Sequence, residues 1–499
     1  MSGVATEMIS FFGRERVTPL DAVPERGAVH IIGVAGIAMA QLAVELVRRG
    51  YMVSGSDQSF YEPSGSLLRG SSVRLFEGYS PENIPDKCDL VVIGNSASAS
   101  NKEVQEIEHR SLPFSLFPQL LFETVINERR SLVVSGTHGK STSTALAAFL
   151  LNESGMDPSF FIGGRVDQLT SSLKRGEGRF SVVEGDEYDS AFFAKLPKFH
   201  FYRPNVLLIT SIEFDHADIY PDERAIEREF ENLIESMGSE GIVVACSSGG
   251  DIVRGIVERY RTVGSPRILT YGFDERDDYR INRLPEQGGV GQKITVSHQS
   301  AQYSFALRLG GLYNALNAGG VLALLSEAGV SVDSLLTHFG DFRGVARRQE
   351  IVVDIPDIRV IEDFAHHPTA VRLTLEGLRE EYPNKRIVAL FEPRSNTSRR
   401  AIFQERYAEA FDAADVVIVC EVTKRAIDDG VALLDTDKLV SDINLRGKKG
   451  LVAASPAGVF ERFLQERQSG DIVAVMSNGG FGDIIARFRE NFGGAFKER

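Results

Sequence analysis

The sequence has few of the features that mark secreted, membrane-spanning or nucleic-acid-coating chains. Only three cysteines occur in 499 residues, Cys88, Cys246 and Cys420, far apart and without Cys-x-x-Cys spacing. That pattern supports neither a disulfide framework nor a zinc ribbon, and it reads as reduced thiols of a cytosolic protein. There is no apolar run of the roughly 18 residues a membrane span requires, and no charged-then-apolar leader. Neither a membrane partner nor a signal peptide is therefore expected. Positive charge is in deficit: 55 Lys and Arg against 69 Asp and Glu give a net charge of −14. A nonspecific nucleic-acid coat is excluded on that balance, although a nucleotide needs only a local positive site. What remains is ordinary: 43% hydrophobic and 25% charged residues, in a chain long enough for about three domains rather than one core. Residues 1–26 read as an irregular tail.

The most informative stretch is Ser131 to Thr144. Residues 131–135 have the composition of a short buried strand, and a helix is predicted from Lys140 to near Gly155. Between them lies Gly136-Thr137-His138-Gly139-Lys140-Ser141, followed by Thr142. Backbone N–H groups of such a loop, with the positive end of the next helix, form an anion site. Lys140 can bridge terminal phosphates, and the Ser141 hydroxyl can ligate the magnesium that accompanies ATP. The spacing is Gly-x-x-Gly-Lys-Ser, one variable pair shorter than the usual phosphate loop, whose first glycine would fall at Val134.

Three α/β units follow one another, at 27–127, 128–344 and 345–499. The first opens with strand 28–32, then Gly33-Val34-Ala35-Gly36, a helix through Val47, and a second strand from Tyr51 to Ser54 ending at Gly55-Ser56-Asp57. This is a βαβ nucleotide fold with Asp57 placed where a ribose hydroxyl would lie. A dinucleotide fingerprint would want glycines where Ala35 and Ala38 stand. Strand 90–93 runs into Gly94-Asn95-Ser96, which could line the same crevice.

In the second unit, strand 180–183 leads into the acidic run Glu184 to Asp189, and strand 206–210 into Ser211-Ile212-Glu213-Phe214-Asp215-His216. Open parallel sheets gather ligands at the carboxyl ends of their strands, so both clusters should converge on the phosphate loop. A carboxylate and an imidazole beside ATP suggest a further magnesium site, while Asp186 and Glu187 read as a solvated turn. A polar linker is expected from Asp274 to Gln302. Asn314 and Asn317, three apart at a helix start, could read an adenine edge, or Asn314 could simply cap the helix. The third unit carries Arg347-Arg348, then Asp363-Phe364-Ala365-His366-His367-Pro368, and a strand ending in Glu392-Pro393-Arg394-Ser395-Asn396-Thr397. The adjacent histidines suit substrate or nucleotide contact better than one shared metal.

Taken in order, these residues resemble the Mur ligase family over roughly residues 28 to 488. The resemblance implies a three-domain α/β architecture, each domain a mainly parallel nucleotide-binding-type sheet with flanking helices. It also implies a bacterial cytoplasmic ATP-dependent ligase that activates a carboxylate as an acyl phosphate for attack by an amine. Lys140, Glu184 and His216 would be catalytic, and Ser141, Glu184 and His216 would hold Mg2+. Gly136 to Thr142, Asn314, Asn317, Arg347, Arg348, Asp363 and His366 would bind ATP. The opening at Gly33 to Gly36 is similar to the two branches that take UDP-N-acetylmuramate, with Gly33, Gly36, Ile37, Asp57 and Ser96 at the sugar nucleotide. One branch adds L-alanine. The other adds the recycled muropeptide-derived tripeptide L-alanyl-γ-D-glutamyl-meso-diaminopimelate, and the stretches at His30, Glu184–Phe193, Glu392–Thr397 and Met476–Gly482 favour it. Arg394, Ser395, Asn396 and Thr397 would then bind the peptide. Ser141 stands where threonine is commoner, and residues 217–231 contain no lysine, so the carbamylated lysine of sister ligases is not available. The expected state is a monomer or weak homo-oligomer. The rival readings are the L-alanine branch, a nicotinamide-dependent dehydrogenase built on the first unit, and an inactive sugar-nucleotide-binding protein.

Overall fold

The computed structural model describes residues 17–493 other than 216, 218, 264, 265, 286–290, 426, 427 and 429. The first sheet contains β1 (Ala28–Ile32), β2 (Met52–Asp57), β3 (Arg74–Glu77), β4 (Leu90–Ile93) and β5 (Phe114–Leu116), in the order β3-β2-β1-β4-β5. All its pairs are parallel. Helix α1 (Ile37–Arg48) buries Leu42, Ala43 and Leu46 against it. The order reverses beside β1, and the crevice opens there, between Gly33 and Gly94. The described end of the tail is not loose: Leu20 and Val23 are buried, and the Thr18 N–H donates to Phe114 O at 2.7 Å.

The central sheet has ten strands: β6 (Arg130–Ser135), β7 (Ser159–Phe161), β8 (Leu173–Lys174), β9 (Phe180–Gly185), β12 (Val206–Ile209), β13 (Ile242–Cys246), β14 (Arg267–Gly272), β15 (Tyr279–Pro285), β16 (Gln292–His298) and β17 (Ala301–Leu307). A separate hairpin joins β10 (Asp189–Ala191) to β11 (Ala194–Pro197). β6 lies parallel between β9 and β12, so the phosphate loop and both acidic runs leave the sheet side by side. Helix α2 (Lys140–Glu153) is buried on nearly all sides, from Ser141 to Leu151.

The expected polar linker is instead a sheet extension: β15, β16 and β17 pair antiparallel. Tyr279, Ile281, Ile294 and Val296 alternate inward onto helix α3 (Leu312–Glu327), while the outward positions are polar. Those outward residues dominate the composition and hide the alternation.

The third sheet comprises β18 (Glu350–Ile355), β19 (Ile358–Asp363), β20 (Ile387–Phe391), β21 (Val416–Cys420), β22 (Lys449–Ala453) and β23 (Asp471–Met476), ordered β18-β19-β23-β20-β21-β22. Only the β18–β19 edge pair is antiparallel. Helix α4 (Pro368–Glu381) follows the histidine pair, with Pro368 in its first turn and the His367 ring accepting from the Thr369 N–H. Among the described residues no helix is long and apolar enough to cross a membrane.

Candidate functional site

The carboxyl ends of the three sheets face one cleft of about 1570 Å³. Gly33, Gly36, Ile37 and Ser96 line it from the first unit, the phosphate loop and Glu184 from the second, and Arg348, His366 and Arg394 to Thr397 from the third.

The loop is shaped by two glycines. Gly136 has φ +133° and Gly139 φ +83°, both in the region L side chains avoid. A Cβ on Gly139 would also lie 2.5 Å from Asn317 Oδ1. The Thr137 and His138 N–H groups donate to Ser211, at 2.8 and 3.0 Å. Anion binding therefore falls to the start of α2, which no described side chain caps.

Lys140 Nζ lies 2.8 Å from Glu187 Oε2, and both side chains are buried. Burial opposes the ammonium charge, but Glu187, Asp186 and Glu184 outweigh it and hold the Lys140 pKa above its ordinary value. Ser141 Oγ donates to Glu184 Oε1 at 2.8 Å, and the Gly163 N–H donates to the other oxygen, also at 2.8 Å. Burial and the neighbouring charge of Asp186 raise the Glu184 pKa. The solvated-turn expectation for Asp186 and Glu187 does not hold. Both are buried, Asp186 paired with Lys198 at 3.1 Å, and Lys198 lies 3.9 Å over the Tyr188 ring. Two lysines thus neutralise a run that looks solvated in one dimension.

Several predicted residues carry contacts within the fold, and of these Asn314, Asn317, Arg347, Arg348, Asp363 and His366 also line the cleft. Asp57 is not among the residues lining the cleft; it accepts from the Ala35 N–H at 2.9 Å and the Tyr79 hydroxyl at 3.2 Å, and so holds the first loop. Asn314 does not cap α3, whose N-cap is Gly311; its amide donates to Gly310 O at 2.8 Å. Asn317 sits against Gly139 of the phosphate loop and lines the cleft. The Arg347 guanidinium meets Glu362 at 2.7 Å and Ser477 O at 3.0 Å, bracing the ends of β19 and β23. Asp363 accepts from the Gln349 and Ala365 N–H groups at 2.9 and 2.7 Å. Arg348 lies 4.7 Å over the Phe364 ring. His366 Nδ1 is 3.1 Å from Phe364 O, and burial lowers its pKa. Arg394 is half exposed, with Ser395, Asn396 and Thr397 beside it on the cleft wall. His216 lies outside the described residues.

Glu213, for which the sequence alone suggests no role, joins the second and third units. It accepts from Thr369 Oγ1 at 2.7 Å and Arg406 at 2.9 Å, both from the third unit, and faces His138 and His367. Burial works to raise its pKa, but His138, His367 and Thr369 prevail and hold it far below the carboxylate range. Position at the end of a strand beside the phosphate loop was the one available signal.

Comparisons with known proteins cover the same three units. "Mur ligase family, catalytic domain" matches residues 28–128, "Mur ligase middle domain" 134–325, and "Mur ligase, glutamate ligase domain" 347–479. The chain is 30% identical to the UDP-N-acetylmuramate–L-alanyl-γ-D-glutamyl-meso-2,6-diaminoheptandioate ligase of Escherichia coli, over 91% of this chain and 96% of that protein. It is 32% identical to the UDP-N-acetylmuramate–L-alanine ligase of Paenarthrobacter aurescens, over 94% and 97%. Among solved structures, a murein peptide ligase from Psychrobacter arcticus superposes with a TM-score of 0.70 at 29% identity, covering 95% of this chain and 100% of that one. The UDP-N-acetylmuramate–alanine ligase of Thermotoga maritima gives 0.74 at 25%, covering 93% and 99%.

Proposed function

Because the chain belongs to the Mur ligase family of ATP-dependent carbon–nitrogen ligases, we propose that it joins the recycled tripeptide L-alanyl-γ-D-glutamyl-meso-diaminopimelate to UDP-N-acetylmuramate in the bacterial cytoplasm. In this reading residues 27–127 take the sugar nucleotide, 128–344 the ATP and 345–499 the peptide. The observation that carries it is the single cleft in which Ser96, Lys140 and Arg394 share one wall-to-wall space. A donor nucleotide, a phosphoryl group and an amine acceptor must meet, and these three units supply one face each.

A carboxylate does not condense with an amine in water until it is activated. Phosphoryl transfer from ATP to the lactyl carboxylate brings two anions together, so alignment and charge neutralisation matter more than covalent help. The N-terminus of α2 would receive the phosphates, and Lys140 would exchange its contact with Glu187 for the terminal one. Ser141 and Glu184 fit Mg2+: they present hydroxyl and carboxylate oxygens 2.8 Å apart, and the buried Glu184 charge needs a cation. Magnesium held there supplies charge neutralisation during the transfer. Contacts from Glu213 to Thr369 and Arg406 draw the third unit over the loop and exclude water that would hydrolyse the acyl phosphate. The amine then attacks the acyl carbon and phosphate leaves. Arg394, half exposed at the carboxyl end of β20, would clamp a peptide carboxylate in bidentate fashion.

A second reading, addition of L-alanine, is supported by a relative of that activity as similar as the tripeptide-adding one. ADP release with UDP-N-acetylmuramate and either the tripeptide, L-alanine or no acceptor separates the two. Release only with the tripeptide is expected; release only with L-alanine supports the second reading.

A further inference from the structure

His138 of the phosphate loop, Glu213 after β12 and His367 at the head of α4 meet where the central and third units touch. One ligating atom from each lies within 4.8 Å of the other two. His138 Nε2 is 3.6 Å from Glu213 Oε1, His367 Nδ1 is 3.9 Å from Oε2, and the imidazole centroids are 4.9 Å apart. His367 is 2% exposed, and the Nε2 atoms of both rings are buried without a hydrogen-bond partner among the described residues.

We propose that these three side chains form a site for one zinc-class divalent ion, which staples the phosphate loop to the third unit. Two imidazoles and a carboxylate are a borderline-soft donor set that suits zinc, whereas magnesium prefers an all-oxygen shell. The Ser141–Glu184 pair is of the second kind, so the two sites sort different ions. Zinc ligands at about 2.0–2.1 Å stand roughly 3.3 Å from one another in a tetrahedron. The 3.6 Å from His138 Nε2 to Glu213 Oε1 is close to that edge, while His367 Nδ1, 3.9 Å from the other oxygen, Oε2, would have to move in by about half an ångström or more on binding. Thr369 Oγ1 and Arg406 both donate to Glu213 Oε2 and fix the carboxylate, so Oε1, the oxygen that faces His138 Nε2, is the one turned to the ion. His367 Nδ1 now accepts from the Thr369 N–H at 3.3 Å, a long contact, so coordination there gives up little. Three ligands leave one position open for water.

The test is titration of the full-length protein with zinc chloride in excess magnesium, by calorimetry, with cobalt(II) absorption as a direct report on ligands. One zinc per chain and a visible cobalt(II) ligand-field band are expected. Glu213→Gln and His367→Asn should each weaken zinc binding at least tenfold and abolish the band. Thermal unfolding without metal identifies a variant that has lost its fold, and the other variant then carries the comparison. The proposal is overturned if the wild type binds no zinc, if no band forms, or if a folded variant retains wild-type zinc affinity.

Discussion

Exchanging Lys140 and Glu187 singly and together dissects the buried charge cluster beneath the phosphate loop. Lys140→Met removes the ammonium and leaves Glu184, Asp186 and Glu187 crowded around its position, with Lys198 paired to Asp186. Breaking a buried pair from that side costs about 3–5 kcal/mol. Glu187→Gln keeps the shape and an acceptor oxygen, and Asp186 and Glu184 continue to face the ammonium. The same withdrawal of negative charge also relieves the crowding that raises Glu184. The loss should therefore be about 1–2 kcal/mol, the difference between a charged and a neutral hydrogen bond. Because the ion pair at 2.8 Å is lost in either single variant, the double variant should cost less than the sum, by about 1–2 kcal/mol. Thermal unfolding without ATP, in chelator, reads all four corners of the cycle. Effects additive to within about 0.5 kcal/mol, or a Glu187 loss larger than the Lys140 loss, would refute the description of the cluster.

Ser141→Ala removes the hydroxyl that holds Glu184 at 2.8 Å and should lower turnover and magnesium affinity, while Ser141→Thr should restore both. Arg394→Lys should raise KM for the tripeptide roughly ten- to a hundredfold, the value of about 1.5–3 kcal/mol of charged contact, with ATP and sugar-nucleotide parameters little changed; steady-state kinetics decides. Burial, then His138, pushes the His367 pKa down to about 3 from an ordinary 6.5, so the unfolded chain binds the extra proton between those values. Stability in chelator should fall as pH drops through 6.5, by roughly 2–3 kcal/mol at pH 4.5, and the fall should be shallower in His367→Asn.

The phosphate loop, the three α/β units and the strand ends that carry Glu184, Ser96 and Arg394 were legible because each is written locally, in a strand, a turn and a helix start. The acidic run was misread because its neutralising partners are distant: Lys140 lies 47 positions before Glu187, and Lys198 folds back 12 positions to Asp186. A lysine embedded in Lys198-Phe-His-Phe-Tyr was the overlooked sign of a buried cation. Strands β15 and β16 were hidden by their polar outer faces. The meeting of Glu213 with Thr369, 156 positions apart, has no local signature and needs the docking of two units. Asp57 stands at the end of its strand as expected, and its bond from the Ala35 N–H is a contact that spacing does not reveal.

The central claim is that one chain activates the lactyl carboxylate with ATP and passes it to a peptide rather than to a free amino acid. UDP-N-acetylmuramate labelled with oxygen-18 in that carboxylate, offered with ATP and equal concentrations of tripeptide and L-alanine, tests both halves in a single mass-spectrometric measurement. The account predicts the tripeptide adduct as the dominant product and one labelled oxygen in the released phosphate. An L-alanine adduct in excess, or phosphate free of label, would contradict it.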